Sequence, residues 1–247
     1  MRQSDTWLPS KFVQRDGRLR ASRDPRHLGT GSRLAGELVA QCYERQLRQH
    51  ARGRLLDLGC GSVPLYAAYR PLVQQVTCVD WRSSEHVDVC ADLCEALPFA
   101  DSTFDTIILA DVLEHVATPE PLWLEMSRVL APGGRILVSV PFLYWLHDTP
   151  HDYYRFTRFA LARFVRLAGL ELVALEAIGG APEVLIDILA KHLVRVPALG
   201  TPLALAAQQL GLLARKTSLG ARLSERTGQS FPFGYFLVAH KPDPALR

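Results

Sequence analysis

Carboxylates that follow apolar, strand-like runs are the first residues in this sequence whose positions suggest chemistry. Asp57 lies within Leu-Leu-Asp-Leu-Gly-Cys-Gly (55–61), and Asp80, Asp92 and Asp111 follow later runs. In an open α/β sheet the carboxyl ends of parallel strands line one crevice, where ligands bind. A single aspartate there commonly caps a turn or a helix. Four of them at successive strand ends indicate a nucleotide-type site, in which an acid after the second strand suits both ribose hydroxyls.

Strand-like and helix-like segments alternate along the chain and would position these carboxylates. Apolar runs predict seven strands, at 54–58, 76–79, 86–90, 105–110, 135–140, 170–178 and 234–240. Helical spacing of apolar residues is found at 32–49, 63–69, 119–130 and 159–168. This alternation predicts a doubly wound, mostly parallel, seven-stranded α/β sheet with helices on both faces.

Composition sets limits on the class of protein. The chain has 247 residues, of which 48% are hydrophobic and 21% charged, as is usual for a soluble globular protein. A formal net charge of +3 is too small to imply a nucleic-acid partner. The five cysteines are odd in number and lack zinc-finger spacing, which is typical of the reducing cytosol. We see no apolar signal core at the N-terminus.

Two regions stand apart from the alternating pattern. Residues 1–30 are basic and rich in helix breakers, which predicts an irregular arm that is either solvated or a flap over an anionic substrate. Residues 31–247 would form one domain, with a helical insertion at about 182–222 before the last strand. The inserted helices would cap the core or form a homodimer face. Alternatively, their basic residues would meet anionic lipid at a membrane surface.

The central block resembles class I S-adenosylmethionine-dependent methyltransferases of the type 11-like group. Its matching pieces occur in family order and at family spacing over residues 50–178. They are Leu-Leu-Asp-Leu-Gly-Cys-Gly (55–61), Val79-Asp80, Ala91-Asp92-Leu93, Leu97-Pro98-Phe99, Phe104-Asp105, Leu113-Glu114-His115-Val116 and Leu130-Ala131-Pro132-Gly133-Gly134. This resemblance implies a Rossmann-like methyltransferase sheet and S-adenosylmethionine as cofactor.

The resemblance also implies which positions contact the cofactor. They are Asp57, Gly59, Cys60, Gly61, Asp80, Trp81, Asp92, Leu93, Ala110 and Asp111. Asp80 would bind the ribose hydroxyls, Asp92 the adenine amine, and Asp111 would lie near the methyl-donor end. One departure is Val63, which stands where the family often has a third glycine. A dinucleotide fingerprint fits less well, because its third glycine would fall at Pro64.

Asp111, Glu114 and His115 form the first candidate group for catalysis. The spacing i, i+3, i+4 would place them on one face at the start of a helix. They resemble the Glu-x-x-Glu-His cluster with which small-RNA 2′-O-methyltransferases and ubiquinone-pathway O-methyltransferases hold a divalent metal. Asp111 replaces the first glutamate. The alternatives are a polar cluster beside the cofactor or a capping arrangement, so a metal at this position is left open.

The loop at 145–157 forms the second group, because it holds two His-Asp pairs, two tyrosines and an arginine. We expect His151 to act as general base and Asp152 to orient it, with His115 as a further catalytic candidate. Three neighbours would bind the acceptor: Tyr153, Tyr154 and Arg155. The alternative is an aromatic lid that packs over the site and excludes water.

The motif His-Asp-Tyr-Tyr-Arg-Phe-Thr (151–157) resembles methyltransferase-like proteins associated with polysaccharide and glycan assembly. The expected reaction is therefore O-methylation of a hydroxyl on a sugar or glycan precursor. Alternative acceptors are a small phenolic, a quinone-like compound or a lipid. A non-catalytic module that keeps the cofactor fold as a scaffold is the alternative outside enzymes.

Overall fold

The computed structural model describes residues 1–243, which contain nine strands. They are β1 (Phe12–Arg15), β2 (Arg18–Ala21), β3 (Arg54–Leu58), β4 (Gln75–Asp80), β5 (Val89–Cys90), β6 (Phe104–Ala110), β7 (Leu130–Pro141), β8 (Glu171–Ile178) and β9 (Gly234–His240). Seven of them form the central sheet in the order β5-β4-β3-β6-β7-β9-β8, and only β9 runs against the others. The predicted doubly wound, mostly parallel seven-stranded sheet is confirmed.

Helices connect the strands and cover both faces of the sheet. They are α1 (Arg33–His50), α2 (Tyr66–Tyr69), α3 (Pro119–Val129), α4 (Arg158–Leu167), α5 (Ala181–Leu193), α6 (Gly200–Ala214) and α7 (Ser218–Gly228). The helix expected at 63–69 begins only at Tyr66, because Val63 has a positive φ that cannot start a right-handed helix.

The core lies in two layers because successive strand residues point to opposite faces. In β3, Leu56 and Leu58 join one layer while Leu55 joins the other. The first layer is completed by Trp123 of α3 and the second by Tyr43 of α1, both fully buried. Asp57 points to the same face as Leu55, because the two are two residues apart in the strand. Its carboxylate therefore lies among the apolar side chains of the second layer.

The N-terminal region differs from the irregular arm that the sequence suggested. Strands β1 and β2 form an antiparallel hairpin in which Arg15 is paired with Arg18. Asp16 and Gly17 make the turn between them. Both turn residues have positive φ, as a two-residue hairpin turn requires. The helix-breaking residues Asp16 and Gly17 therefore form the turn of a hairpin, rather than leaving the segment irregular.

This hairpin packs on α1 through alternate side chains. Phe12 and Leu19 are 2% and 1% exposed and belong to the second core layer. Arg20 pairs with Glu37 of α1 at 2.5 Å, and the Ala21 N–H donates to the other oxygen of Glu37 at 3.1 Å. The basic side chains of the hairpin therefore alternate along its strands with the buried apolar side chains.

The helical insertion expected at about 182–222 consists of α5, α6 and α7. The buried amide of Gln208 on α6 accepts from the Leu34 N–H at 2.9 Å and donates to the Thr30 carbonyl at 2.9 Å, which fixes α6 against the start of α1. Within residues 1–243, no helix combines the length and the apolar content needed to cross a bilayer.

Candidate functional site

The carboxyl end of β3 enters a turn whose backbone conformations favour glycine. Gly59 and Gly61 have φ of 67° and 51°. A Cβ on Gly59 would lie 2.5 Å from Cγ1 of Val112, whereas a Cβ on Gly61 would meet nothing within 4 Å. Gly59 therefore permits two chain segments to approach closely, and Gly61 leaves open space beside the turn. That space suits a ligand lying over the strand end.

Val63 adopts a left-handed conformation with φ of 52°, which a β-branched residue rarely does. Its fully buried side chain and two backbone hydrogen bonds hold it there. Its N–H donates to the Cys60 carbonyl at 2.7 Å, and its carbonyl accepts from Nε1 of Trp7 at 3.1 Å. Val63 thus holds a backbone conformation that a glycine would adopt without strain.

Asp57 is buried directly beneath this turn. The hydroxyl of Tyr69 donates to its Oδ2 at 2.9 Å. Burial raises the pKa of Asp57 to about 7, and the negative charge of Asp80 adds to the rise, although the hydrogen bond from Tyr69 opposes it. Near neutral pH this carboxyl is therefore poised between its two protonation states.

Asp80 and Asp92 follow neighbouring strands but differ in their contacts. Asp80 accepts from the Gly61 N–H at 2.9 Å, so it borders the glycine-rich turn. Asp92 is exposed and accepts from the Cys94 N–H at 2.9 Å, which is a turn-capping contact. Trp81, another of the expected cofactor contacts, is 57% exposed.

The three other expected cofactor contacts are packing residues. Cys60 and Leu93 are 2% and 8% exposed and belong to opposite core layers. Ala110 ends β6 and packs against the second layer. Their contact with a cofactor would therefore come through backbone atoms or apolar surface.

Asp111 is paired with the N-terminal region rather than with Glu114 and His115. Nζ of Lys11 lies 2.7 Å from its Oδ2, and the hydroxyl of Ser139 donates to its Oδ1 at 2.7 Å. Burial opposes ionisation, but Lys11 and Ser139 outweigh it and hold the pKa of Asp111 below its usual value. Asp111 precedes a 3₁₀ turn at Leu113–His115, so the helical face expected for the three residues does not form.

A different trio comes together, formed by Glu114, His115 and His147. One candidate ligand atom from each lies within 4.8 Å of the other two. Nε2 of either imidazole is 3.7 Å from Oε1 of Glu114. Glu114 is fully buried, and neither of its oxygens has a hydrogen-bond partner among residues 1–243. Burial raises the pKa of Glu114, and the neighbouring His147 lowers it only in part.

Both imidazoles turn Nδ1 away from Glu114, toward acceptors. Nδ1 of His115 is 2.7 Å from the His151 carbonyl, which can only accept, so this nitrogen carries a proton. Nδ1 of His147 is 3.3 Å from Asp152 and 3.3 Å from the Trp145 carbonyl. In their neutral forms both histidines therefore direct an Nε2 lone pair at the buried carboxylate.

The loop at 145–157 uses its two His-Asp pairs differently from the expectation. Asp152 accepts a hydrogen bond from the backbone N–H of His147 at 2.9 Å. It also binds the Arg155 guanidinium through contacts of 2.6 and 2.8 Å. It therefore orients His147, whereas Nδ1 of His151 is 3.0 Å from the Tyr153 hydroxyl. The sequence does not distinguish His147 from His151, because each histidine is followed directly by an aspartate.

The expected acceptor-binding trio also has internal partners. Arg155 is engaged by Asp152, Tyr153 faces His151, and the Tyr154 hydroxyl donates to the Ala117 carbonyl at 2.8 Å. The ring of His151 lies edge-on to Trp81, with centroids 5.2 Å apart. These side chains build the loop and border the expected adenine side of the cleft.

A cavity of about 130 Å³ adjoins Asp111, Glu114 and His147. Its walls are mainly apolar and come from α1, β8 and the segments flanking β7 and β9. The apolar part of the wall includes Leu28, Val39, Ile178 and Phe233. Lys11, Ser32, Tyr144 and Asp148 complete its polar side, while His151 and the trio at 153–155 do not line it. The cavity thus joins one small apolar space to one carboxylate–imidazole pair.

The trio fits a divalent cation, with Glu114 and His115 kept from the expected set and His147 in place of Asp111. A buried carboxylate without hydrogen-bond partners and two convergent imidazoles are donors that suit Zn²⁺ or Mn²⁺. The Nδ1 contacts of both histidines are those that orient metal-bound imidazoles. A cation held there would lower the pKa of a hydroxyl bound beside it.

Equilibrium dialysis of the purified chain against Zn²⁺ and Mn²⁺ is expected to give one bound ion per chain. His115→Asn should weaken this binding about a hundredfold, because it removes one of three protein ligands. His151→Asn provides the matched control, since its side chain lies outside the trio. Absence of bound metal, together with methyl transfer that resists chelators, would show that Glu114 and His147 act without a metal.

Residues 56–138 match a family model described as a methyltransferase domain. The ubiquinone biosynthesis O-methyltransferase of Burkholderia pseudomallei is 29% identical over 160 residues, which cover 52% of this chain and 69% of that protein. The residues matched by the family model thus include the glycine-rich turn and the strand-end carboxylates.

Solved structures agree on the fold. An S-adenosylmethionine-dependent methyltransferase from Mesorhizobium loti superposes with a TM-score of 0.53 at 15% identity, covering 84% of this chain and 99% of that one. The [4+2]-cyclase SpnF gives 0.58 at 19% identity, covering 96% and 88%. Since one of these neighbours is a cyclase, the fold by itself does not specify the reaction.

Proposed function

We propose that this chain, a class I S-adenosylmethionine-dependent methyltransferase, methylates a hydroxyl of a small phenolic or quinone-derived acceptor. The observation that carries this proposal is the cavity of about 130 Å³ that ends on Glu114 and His147. Apolar cavities of about 150 Å³ hold a benzene ring. One ring of similar size would place a ring hydroxyl against the carboxylate–imidazole pair.

The cavity wall favours an aromatic ring over a sugar. Leu28, Val39, Ile178 and Phe233 offer no hydrogen-bond partner through their side chains. A sugar has hydroxyls around its whole ring, and several would be buried unpaired against this wall, at a cost of about 1–3 kcal/mol each. The sugar or glycan acceptor expected from the loop motif therefore fits this cavity less well than the phenolic alternative.

The relative from Burkholderia pseudomallei supports the same acceptor class. Its name describes an O-methyltransferase of ubiquinone biosynthesis, and the aligned region covers half of this chain. The transfer of that acceptor chemistry to this chain is part of our proposal.

Methyl transfer from a sulfonium is a direct displacement, so alignment of the two reactants contributes much of the rate. The acceptor oxygen forms a bond to the methyl carbon while the carbon–sulfur bond breaks, which leaves S-adenosylhomocysteine. When no cation occupies the trio, the hydroxyl proton passes to Nε2 of His147, and the negative charge of Glu114 stabilises the resulting imidazolium. Asp152 keeps Nδ1 of His147 directed away from the acceptor.

For the cofactor we propose the positions implied by the family, with Asp57 and Asp80 as its main polar contacts. Their support is geometric. Both carboxylates border the glycine turn, Asp80 through the Gly61 N–H at 2.9 Å and Asp57 from below. A cationic methionine end would favour the ionised form of Asp57.

A screen with labelled S-adenosylmethionine would test the acceptor class. Catechols and reduced quinones are expected to accept label, while sugar nucleotides and lipid-linked sugars are not. Label confined to the sugars would contradict the proposal and restore the glycan acceptor.

A pair of variants tests whether this cavity is the acceptor site. Val39→Trp fills the cavity and should raise KM for the acceptor at least about tenfold, since the ring and the indole compete for the same volume. Leu124→Trp makes the same change at an exposed α3 position outside the cavity and should leave KM unchanged. Equal effects of both variants on KM would exclude this cavity.

A further inference from the structure

The helices α5 and α6, together with Leu199 just before α6, expose large apolar side chains on their outer surface. We call this surface the α5–α6 face, made of Leu185, Ile188, Leu189, Leu199, Leu203, Leu210 and Leu213. Leu185 and Leu210 are each 66% exposed. On the inner side of α6, by contrast, the polar Gln208 is buried. This helix therefore directs leucines outward and an amide inward, the reverse of a helix that faces water.

The α5–α6 face continues onto the loop that borders the cavity. Trp145 and Leu146 are 46% and 73% exposed. The Arg195 guanidinium, just beyond α5, lies 5.9 Å from the Trp145 ring. Lys191 of α5 lies 4.0 Å from the ring of Tyr144, which lines the cavity. One surface thus joins the outer leucines to the cavity wall.

Basic side chains accompany these leucines, and acidic ones are nearly absent. Arg195, Lys216, Arg222 and Arg226 are exposed, and none pairs with a carboxylate of residues 1–243. Within 181–232 the carboxylates of Glu183 and Asp187 are buried, which leaves Glu225 as the one exposed acid. The surface therefore combines apolar area with uncompensated positive charge.

We propose that the α5–α6 face docks on the surface of an anionic phospholipid bilayer. Its leucines would enter the boundary between headgroups and acyl chains, with Arg195, Lys216 and Arg222 close to lipid phosphates. Trp145 suits the same boundary, because its ring is apolar and its N–H is polar. Docking does not depend on the identity of the acceptor.

Charge favours a bilayer over a second copy of the chain as the partner. A two-fold symmetric dimer pairs a surface with itself, so it would bring Arg195, Lys216 and Arg222 of both copies together. Like charges brought together across an interface are repulsive. Anionic headgroups, in contrast, offer negative charge to each of them.

Vesicle flotation of the full chain, without cofactor or acceptor, tests this proposal. We expect binding to vesicles of equal phosphatidylglycerol and phosphatidylcholine, and weak binding to pure phosphatidylcholine. Binding should fall at 1 M salt, where the screening length is about 3 Å. Leu203→Gln/Leu210→Gln should weaken binding at least about tenfold, and Arg195→Gln about fivefold.

Leu124→Gln and Arg166→Gln, at exposed positions of α3 and α4, are the matched controls and should bind as the wild type does. Thermal melts confirm that each variant is folded. Failure to float with anionic vesicles would overturn the proposal, as would equal binding to neutral vesicles. A dimer seen in sedimentation that Leu203→Gln/Leu210→Gln abolishes, with no vesicle binding, would assign the face to a second copy. Because the assay uses no acceptor, its result is independent of the proposed reaction.

Discussion

His147→Asn is expected to lower kcat about 10²- to 10³-fold, while the Kd for S-adenosylmethionine stays near the wild-type value. The variant removes the Nε2 that faces Glu114 across 3.7 Å and lines the cavity. It leaves the glycine turn and its strand-end carboxylates untouched. Single-turnover methyl transfer, combined with calorimetric cofactor binding, separates these two effects.

The same substitution at the neighbouring pair provides the control. His151→Asn keeps the backbone carbonyl that holds His115 and removes a side chain outside the cavity. We expect its kcat within about threefold of wild type, because no proton-transfer role is lost. Equal losses of kcat in both variants, or a larger loss in His151→Asn, would contradict the assignment of His147 as general base and favour His151, the residue expected from sequence.

Asp57→Asn is expected to weaken S-adenosylmethionine binding about tenfold to a hundredfold at pH 8, and also to stabilise the cofactor-free protein. The two effects have one cause. Burial raises the pKa of Asp57 to about 7, so the free protein disfavours the carboxylate that a cationic cofactor favours. Asparagine keeps an oxygen for the Tyr69 hydroxyl but carries no charge.

The stability effect should grow with pH. Below the ordinary aspartate pKa of 3.8, folded and unfolded chains both hold the proton, so Asp57 makes no difference. Between 3.8 and about 7 only the folded chain keeps it, and the free energy of unfolding falls as pH rises. The full penalty, present above pH 7, corresponds to roughly 4 kcal/mol.

Thermal melts of both proteins at pH 4, 6 and 8 measure this difference, which should be smallest at pH 4. Cofactor titrations in buffers of different ionisation enthalpy should show proton release by the wild type near pH 6 and none by Asp57→Asn. S-adenosylhomocysteine, which lacks the sulfonium charge, should discriminate less between the two. A variant that binds S-adenosylmethionine as tightly as the wild type would falsify the assigned role of Asp57.

Elements with local signals were predictable from sequence. Continuous apolar runs such as 105–110 predict central parallel strands, and the structure has β6 at Phe104–Ala110. Asp80 follows such a run and lies beside the glycine turn, as strand alternation and parallel order require. These features depend on neighbours a few residues away, which a sequence displays directly.

Features that depend on distant neighbours were not predictable in the same way. His147-Asp148 and His151-Asp152 are equivalent as sequence, and only the fold brings Asp152 back to His147. Lys11 reaches Asp111 across 100 positions, so no local pattern indicates that pair. The hairpin did have a signal, Asp16-Gly17 between alternating residues, which the basic composition obscured.

The N-terminal region joins the rest of the molecule through partners far along the chain. Ser10 meets Ser62 at a separation of 52 residues, Trp7 meets Val63 at 56, and Lys11 meets Asp111 at 100. These partners lie at the ends of β3 and β6 or in the segments that follow them, so they are brought together only where those strands pair. The Lys11–Asp111 side of the cleft therefore depends both on the central sheet and on the docking of the N-terminal region.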